Sequence, residues 1–237
     1  MSTLKALVVG AGGAAGGGQS GTVYPAGGGG GEVLYNAALS VTSQTYSVTV
    51  GTGKTYQPSS QVAGDTGGSS IFSTITARGG KGGGDTGIWG KGGTSGNTTY
   101  AGGVRYLFAA GGGAGDGATG SNGSTNLGGN GGDGTANSIT GSSVYYGGGG
   151  GGGDNITQGT NGQGAYGCGG RGNTGTSANG VVILSWVTAD FGTCSVTGAG
   201  NAITTNGADS IATFIVDGNF VCNVPTASNP SFLLNFI

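Results

Sequence analysis

The sequence predicts an all-β fold with polyglycine-II (PPII) rods, a sandwich of glycine-rich rods and strands followed by a small C-terminal β unit. Three observations lead to this prediction. Glycine supplies 63 of the 237 residues, and 58 of these glycines precede Thr188. Short runs rich in Val, Ile, Thr and aromatic residues alternate with glycine tracts, as strands bounded by turns do. The net charge is only −2, so the chain lacks the charge that keeps disordered sequences expanded.

Seven short runs before residue 188 have the composition of β-strands. Each is rich in β-branched or aromatic residues and is bounded by glycine, which is the usual pattern of a strand between turns. The predicted strands cover residues 4–9, 32–35, 45–50, 70–77, 104–110, 142–146 and 181–187.

Five glycine tracts separate these strands. Polyglycine readily adopts the extended polyproline-II conformation, which rises ~3.1 Å per residue and has no internal hydrogen bonds. Buried rods of this kind must pair their N–H and C=O groups with neighbouring rods, and the missing Cβ atoms allow the close approach. We therefore predict a close-packed stack of rods, with flexible glycine linkers as the alternative. The tracts are residues 10–18, 27–31, 79–84, 111–115 and 147–153.

The composition changes at Thr188, because only five glycines occur in the last fifty residues. We therefore divide the chain into a glycine-rich β/polyglycine-rod domain, 1–187, and a small C-terminal β-hairpin unit, 188–237, as an assembly or docking element. Asp217-Gly218 lies between two predicted strands and favours a tight hairpin. The strands predicted in this unit are 193–196, 202–205, 210–216 and 219–224.

The chain ends in an apolar run. A terminus normally frays unless it docks, and exposed apolar side chains promote association. We therefore expect this run to be buried in its own unit or in a neighbouring subunit, with the latter favoured because a fifty-residue unit has little core of its own. The predicted assembly residues are Phe232, Leu233, Leu234, Phe236 and Ile237.

Large aromatic side chains stand alone in several polar loops. Aromatic residues are enriched where proteins contact partners, so these are the candidate binding residues. The alternative is that each ring folds back as a local plug over the rods. The four candidates are Tyr56, Trp89, Tyr100 and Tyr166.

The sequence offers no catalytic constellation, and we predict a protein that is not an enzyme. It contains no histidine, the commonest general base and metal ligand. A strand followed by Gly10, Gly12 and Ala15, with Glu32 further on, imitates a dinucleotide-binding motif. That motif requires a helix, which the following glycines, at ~1 kcal/mol each, and Pro25, at ~3 kcal/mol, prevent. We expect no cofactor and no metal.

Charge and hydropathy exclude two further classes of partner. Seven Lys or Arg against nine Asp or Glu leave no basic patch for nucleic-acid phosphates. No apolar run approaches the ~18 residues of a membrane helix, so we expect no membrane insertion.

The three cysteines are Cys168, Cys194 and Cys222, an odd number without metal-binding spacing. Cys194 and Cys222 both fall in predicted strands and are able to pair. Small buried thiols are the favoured interpretation and a Cys194–Cys222 bond is the alternative.

The order of elements from Leu4 to Leu184 resembles the glycine-rich domain of bacteriophage tail and minor structural proteins. The resemblance is carried by the run 4–18, by 27–35, by Tyr46-Ser47-Val48-Thr49-Val50-Gly51, by 69–80 and by the closing 180–184. The architecture is also similar to that of the adhesins at the tips of T-even-like phage tail fibres. In those adhesins the loops between glycine motifs contact the host surface.

This resemblance implies a virion protein of the tail or fibre, assembled in the host cytoplasm, whose loops bind a host cell-surface receptor. Its expected partners are that receptor and other virion proteins or copies of itself. Two alternatives remain open: a decoration or filament subunit assembled through its C-terminal segment, and a secreted, extracellular bacterial adhesin or matrix protein.

Overall fold

A computed structural model describes residues 2–16, 24–56, 62–84, 90–154, 156–172 and 175–224. Twelve β-strands and one short 3-10 helix, Thr188–Asp190, make up its regular structure, which confirms the predicted all-β class. The strands are β1 (Ser2–Val9), β2 (Val33–Val41), β3 (Gln44–Thr49), β4 (Ser70–Phe72), β5 (Ile75–Ala77), β6 (Thr135–Asn137), β7 (Val144–Tyr146), β8 (Val181–Val187), β9 (Cys194–Val196), β10 (Ala202–Asn206), β11 (Asp209–Phe214) and β12 (Gly218–Cys222).

Two five-stranded antiparallel sheets pack against each other as a sandwich. The first has the strand order β10-β11-β8-β1-β2 and the second has the order β5-β4-β3-β12-β9. Strands β6 and β7 form a separate two-stranded sheet. The main hydrophobic core lies between the two large sheets, with Trp186 of β8 packed on Phe220 of β12 at 5.3 Å between ring centroids.

The centre of the first sheet, where β1 lies beside β8, is buried on both faces. Alternate residues of β1 point to opposite faces, as the period of a strand requires. Val8 therefore joins the core between the sheets, whereas Leu7 and Val9 join a second core that contains Tyr146 of β7. Burial on both sides explains why the paired segments 6–9 and 181–184 are uniformly apolar rather than alternating.

The strands after Thr188 belong to both sheets of the sandwich. β10 and β11 extend the first sheet beyond β8, while β12 lies between β3 and β9 in the second sheet. The change in amino-acid composition at Thr188 therefore does not coincide with a break in the sheets. Predicted assembly residues Phe232, Leu233, Leu234, Phe236 and Ile237 lie outside the described residues.

The hairpin predicted at Asp217-Gly218 is wrong. β11 and β12 belong to different sheets, and residues 215–217 cross between them. Side chains hold this crossing, because Asn201 Oδ1 accepts from Ile215 N at 2.9 Å and Asp217 Oδ1 accepts from Val50 N at 2.7 Å. The tight turn occurs instead between β10 and β11, where Gly207 adopts a φ of 61°.

Two other predicted strands differ from the structure. The run 70–77 is a hairpin of β4 and β5 because Ser73, with a φ of 53°, reverses the chain. The run 104–110 is a tight turn closed by a single bridge between Tyr106 and Ala109, not a strand. Strand β6 has no apolar alternation and was not predicted.

Cys194 and Cys222 form a disulfide, so the favoured interpretation of two buried free thiols is wrong. The two residues lie directly opposite each other on β9 and β12, with their Cα atoms 4.2 Å apart. Pairing of adjacent strands brings the thiols together, a relation that the 28-residue separation does not reveal. Cys168 is the free thiol, and burial raises its pKa.

The glycine tracts form extended rods that hydrogen-bond to one another, which confirms the predicted rod architecture. The central rod, residues 27–32, has all six N–H groups paired with other rods. Its donors point in three directions that repeat every three residues, which is the period of the PPII conformation. Residues 27 and 30 donate to Gly111 and Ala114, residues 28 and 31 to Gly170 and Gly167, and residues 29 and 32 to Lys81 and Arg78.

Six rods surround the central rod. Three of them accept its N–H groups, and the other three donate to its carbonyls with the same period of three. Gly10 and Gly13 donate to Glu32 and Gly29, Gly93 and Gly96 donate to Gly27 and Gly30, and Gly150 and Gly153 donate to Gly28 and Pro25. These bonds are 2.8–3.2 Å long, so the backbone groups of buried rods are satisfied without a conventional sheet.

The rods require glycine because the chains touch backbone to backbone. A Cβ added at Gly28 would overlap the carbonyl oxygen of Gly13, and one added at Gly113 would overlap that of Gly28. Alanine occurs where a methyl group fits, as at Ala14 and Ala114, both of which are fully buried. The interpretation of the tracts as flexible linkers is therefore wrong.

Two carboxylates join the rods to the sandwich. Glu32 ends the central rod and binds the Arg78 side chain with both oxygens, at 3.2 and 3.3 Å. Asp116 is buried and accepts hydrogen bonds from Val33 N, Asn97 Nδ2 and Thr135 Oγ1. The acidic residue of the imitated dinucleotide motif is thus a structural anchor.

Burial raises the pKa of Asp116 above its ordinary value, and the nearby Glu32 charge acts in the same direction. Its ionised form is therefore less favourable in the folded state than in the unfolded state. The stability that the protonated Asp116 side chain contributes is complete below the ordinary pKa, ~3.9. It is lost as the pH rises through the raised pKa of the folded state.

Asp116→Asn removes this titration while keeping the shape of the side chain. We expect the stability of the wild type relative to this variant to be greater at about pH 4 than at pH 7. Urea unfolding of both proteins at the two pH values measures the difference. The contributions of the other carboxylates to the pH dependence are the same in both proteins and largely cancel. A difference that stays constant or grows toward pH 7 would contradict the buried-carboxylate interpretation.

Candidate binding site at the tips of the rods

The rods carry a group of short loops at the end remote from the sandwich. The central rod enters β2 at Val33, and its other end, at Tyr24, lies about 28 Å away for a PPII rise of ~3.1 Å per residue. At this far end Tyr24 N donates to Phe108 O, and Gly153 N donates to Pro25 O. The loops that begin and end there define the tip surface, which comprises residues 24–25, 104–109, 123–127, 153–154 and 156–157.

Two tight turns shape the tip surface. In the first, Tyr106 and Ala109 exchange both backbone hydrogen bonds at 2.9 Å, and Leu107 adopts a φ of 48°. In the second, Ser124 and Leu127 exchange bonds at 2.9 and 3.2 Å. A left-handed conformation is unusual for leucine and occurs in tight turns and at functional sites.

The side chains of the first turn are exposed although they are apolar. Tyr106, Leu107 and Phe108 are 50%, 66% and 58% exposed, and Ile156 on a neighbouring loop is 68% exposed. Clustered exposed apolar groups on a protein surface typically mark a contact site. The tip surface therefore has the composition of a binding surface rather than of a solvated loop.

Each tip loop is tied to the rod lattice. Ala110 N donates to Gly153 O, and Gly123 N donates to Val104 O. The side chain of Asn122 accepts from Val104 N at 2.9 Å, and Gly128 N donates to Thr157 O. The lattice holds both ends of each loop, so a loop sequence can change with little effect on the fold.

The predicted binding residues are not brought together. Tyr166 stacks on Tyr146 at 6.5 Å and packs against the second core, so its ring is a plug rather than a free contact residue. Tyr56 is half-buried, and burial raises the pKa of its hydroxyl. Tyr100 is half-buried in a turn at the sandwich end of a rod, where its carbonyl accepts from Ser95 N. Trp89 lies outside the described residues.

Sequence reasoning missed the tip surface because residues 104–110 have the composition of a strand. A signal was nevertheless present, since this run contains Arg105, which a fully buried strand does not favour. The second turn, 124–127, has no apolar run and carries only Leu127 as a clue.

Within the described ranges, no three His, Cys, Asp or Glu side chains are close enough together to hold a metal ion. A helix with the length and apolarity needed to cross a membrane is likewise not found in this part of the chain.

The fold and the tip surface define an all-β protein in which a polyglycine-rod lattice presents loops at one end. Residues 1–187 match the model of the glycine-rich domain family, and the chain belongs to that family. No characterised protein and no solved structure matches the chain.

Proposed function

We propose that the chain is a non-enzymatic structural protein of a phage virion, part of the tail or fibre, and that its tip surface binds a receptor on the host cell. The observation that carries the proposal is the group of exposed apolar side chains on loops held by a rigid lattice. The resemblance to phage tail glycine-rich domains supplies the biological setting.

The physical argument concerns the cost of ordering a binding surface. Loops that are already ordered before contact lose little conformational freedom on binding, which favours affinity. Tyr106 and Phe108 supply large apolar areas, and aromatic anchors dominate the energies of protein interfaces. Exposing them otherwise favours aggregation, so their retention at the surface supports a contact role.

The substitution Leu107→Gly tests the binding role of the first tight turn without disrupting the fold. Glycine adopts a φ of 48° without the cost of ~1–2 kcal/mol that the left-handed conformation imposes on other residues. We therefore expect an unchanged or higher melting temperature together with weaker binding of the fluorescently labelled protein to host cells. Val187→Thr, which changes an apolar residue 44% exposed on the sandwich, is the matched control and should bind as the wild type does.

Equal binding by the wild type and Leu107→Gly, with Phe108→Ser also unchanged, would contradict the tip surface as the receptor site. Antibody labelling of purified virions in the electron microscope tests the virion location directly. Label on the tail or fibre is expected, and its absence from particles that contain the gene would overturn that location.

The disulfide favours a second candidate, a secreted bacterial adhesin. Disulfides form and persist in oxidising compartments and are rare in the reducing cytoplasm where virions assemble. An exported protein acquires the Cys194–Cys222 bond during export, whereas a virion protein acquires it after release. Mass spectrometry of virions and of culture medium from cells without the phage distinguishes the two candidates.

A further inference from the structure

A cavity of about 210 Å³ opens in the tip surface between the two tight turns. Four separate loops contribute to it, and three of its lining residues are aromatic: Tyr24, Tyr106 and Phe108. Asp154, at the end of a rod, supplies a carboxylate, and Asn126 lies on the opposite turn. The cavity thus combines aromatic rings with one acidic group.

Asp154 is only 7% exposed and has no cationic partner among the described residues. All seven Lys and Arg lie in the described ranges, and the ion pairs there join Lys5 to Asp209 and Arg78 to Glu32. Within the described ranges, one backbone bond, from Ile156 N to Oδ2 at 3.3 Å, reaches the Asp154 side chain. A buried carboxylate with so little compensation favours a cation beside it.

The aromatic residues favour a cation in the cavity, as Asp154 does. The face of an aromatic ring attracts a cation through its quadrupole, and proteins recognise quaternary ammonium groups with cages of aromatic rings. Tyr24 and Phe108 are joined by a backbone bond of 3.2 Å, so two of the three aromatic residues are positioned by the lattice. Arg105, the basic residue of the same loop, is exposed and does not line the cavity.

We propose that this cavity binds an organic ammonium group, quaternary or lysine-like, through Asp154 and the rings of Tyr24, Tyr106 and Phe108. The biological source of the ligand rests on the proposed function, in which the receptor on the host surface presents the ammonium group. The binding itself is a property of the purified chain and is measured without cells.

The test compares choline with its neutral isostere, the alcohol in which a carbon atom replaces the quaternary nitrogen. Both ligands are titrated into the full chain, and chemical shifts of the tyrosine rings report binding. We expect choline to bind at least about tenfold more tightly than the isostere, since only choline gains the cation–π and ionic attraction. A parallel titration with Nα-acetyl-lysinamide distinguishes a primary from a quaternary ammonium.

Two variants locate the site. Asp154→Asn keeps the acceptor for Ile156 N but removes the charge, and Tyr106→Leu removes one ring while keeping the backbone bonds of the turn. Each should weaken choline binding about tenfold or more without lowering the melting temperature substantially. Tyr145→Leu is the matched control, because Tyr145 is 39% exposed on β7, outside the tip surface, and does not line the cavity.

Equal affinity for choline and the isostere overturns the proposal, as does failure of both ammonium ligands to bind at millimolar concentration. Tight binding of neutral hexoses in their place also overturns it and assigns the cavity to saccharides. Cell binding distinguishes this failure from failure of the proposed function. If Leu107→Gly and Phe108→Ser still abolish attachment while choline does not bind, the receptor site stands and only its ligand class is wrong.

Discussion

Replacing Gly150 with alanine should destabilise the fold by about 4 kcal/mol or more, the range reached only when buried structure is disrupted. Gly150 N donates to Gly28 O at 2.9 Å, in the central rod. A Cβ on residue 150 would overlap the carbonyl oxygen of Gly170, on another rod, so two rods would have to separate. Gly149→Val should act in the same way through the carbonyl of Gly113. Thermal and urea unfolding measure the loss.

Ala114→Gly is the matched control, because it changes a fully buried rod position by the same single methyl group. The variant removes a methyl that the lattice already accommodates, so we expect a loss of only about 0.5–1 kcal/mol from backbone entropy, with a small further loss from the vacated space. Gly113→Ala, one residue earlier, should again be severely destabilised. Equal and small effects at positions 113 and 114 would exclude direct contact between rod backbones.

Removing the disulfide with Cys194→Ala and Cys222→Ala together should cost about 3.6 kcal/mol, from the chain-entropy relation for a separation of 28 residues. The bond links edge strand β9 to β12, so its loss releases the edge of the second sheet. Calorimetry of the oxidised wild type and the double variant measures the difference.

Reductant should lower the melting temperature of the wild type and leave that of the double variant unchanged. Cys168→Ala is the control, since Cys168 is a free and partly exposed thiol, and it should respond to reductant as the wild type does. A wild type that is insensitive to reductant under conditions that fully reduce the bond would refute its role in stability.

Much of the fold is predictable because the relevant physics is local. Strands β1, β3 and β8 lie in runs rich in β-branched residues next to glycine, and the structure confirms them within one or two residues. The rods follow from stereochemistry, because consecutive glycines that must be buried have few ways to satisfy their N–H and C=O groups.

The errors arise where composition does not specify the partner of a segment. The run 104–110 has strand composition, yet its neighbours are rods and not a strand, so it folds into a turn whose side chains remain exposed. Asp217-Gly218 has hairpin chemistry, but the strands on either side pair in different sheets. In both cases a contact distant in sequence overrides the local preference.

The candidate site was likewise predictable only in part from the sequence. Isolated loop aromatics were sound candidates by residue type, but Tyr166 found a stacking partner in Tyr146, and only the folded chain reveals that contact. The cavity is made by four loops separated by as much as 130 residues, from Tyr24 to Asp154. No spacing rule connects them.

Composition and short-range pattern alone therefore establish the all-β class and the extended glycine rods. The tertiary structure decides which rods are neighbours, that Cys194 meets Cys222, and that Tyr24, Tyr106 and Asp154 share one cavity. The physical reason is that a PPII rod presents donors and acceptors in three directions with a period of three residues, identically for every glycine tract. Such rods carry no side chains that specify a partner, so their order depends on the strands and turns that connect them.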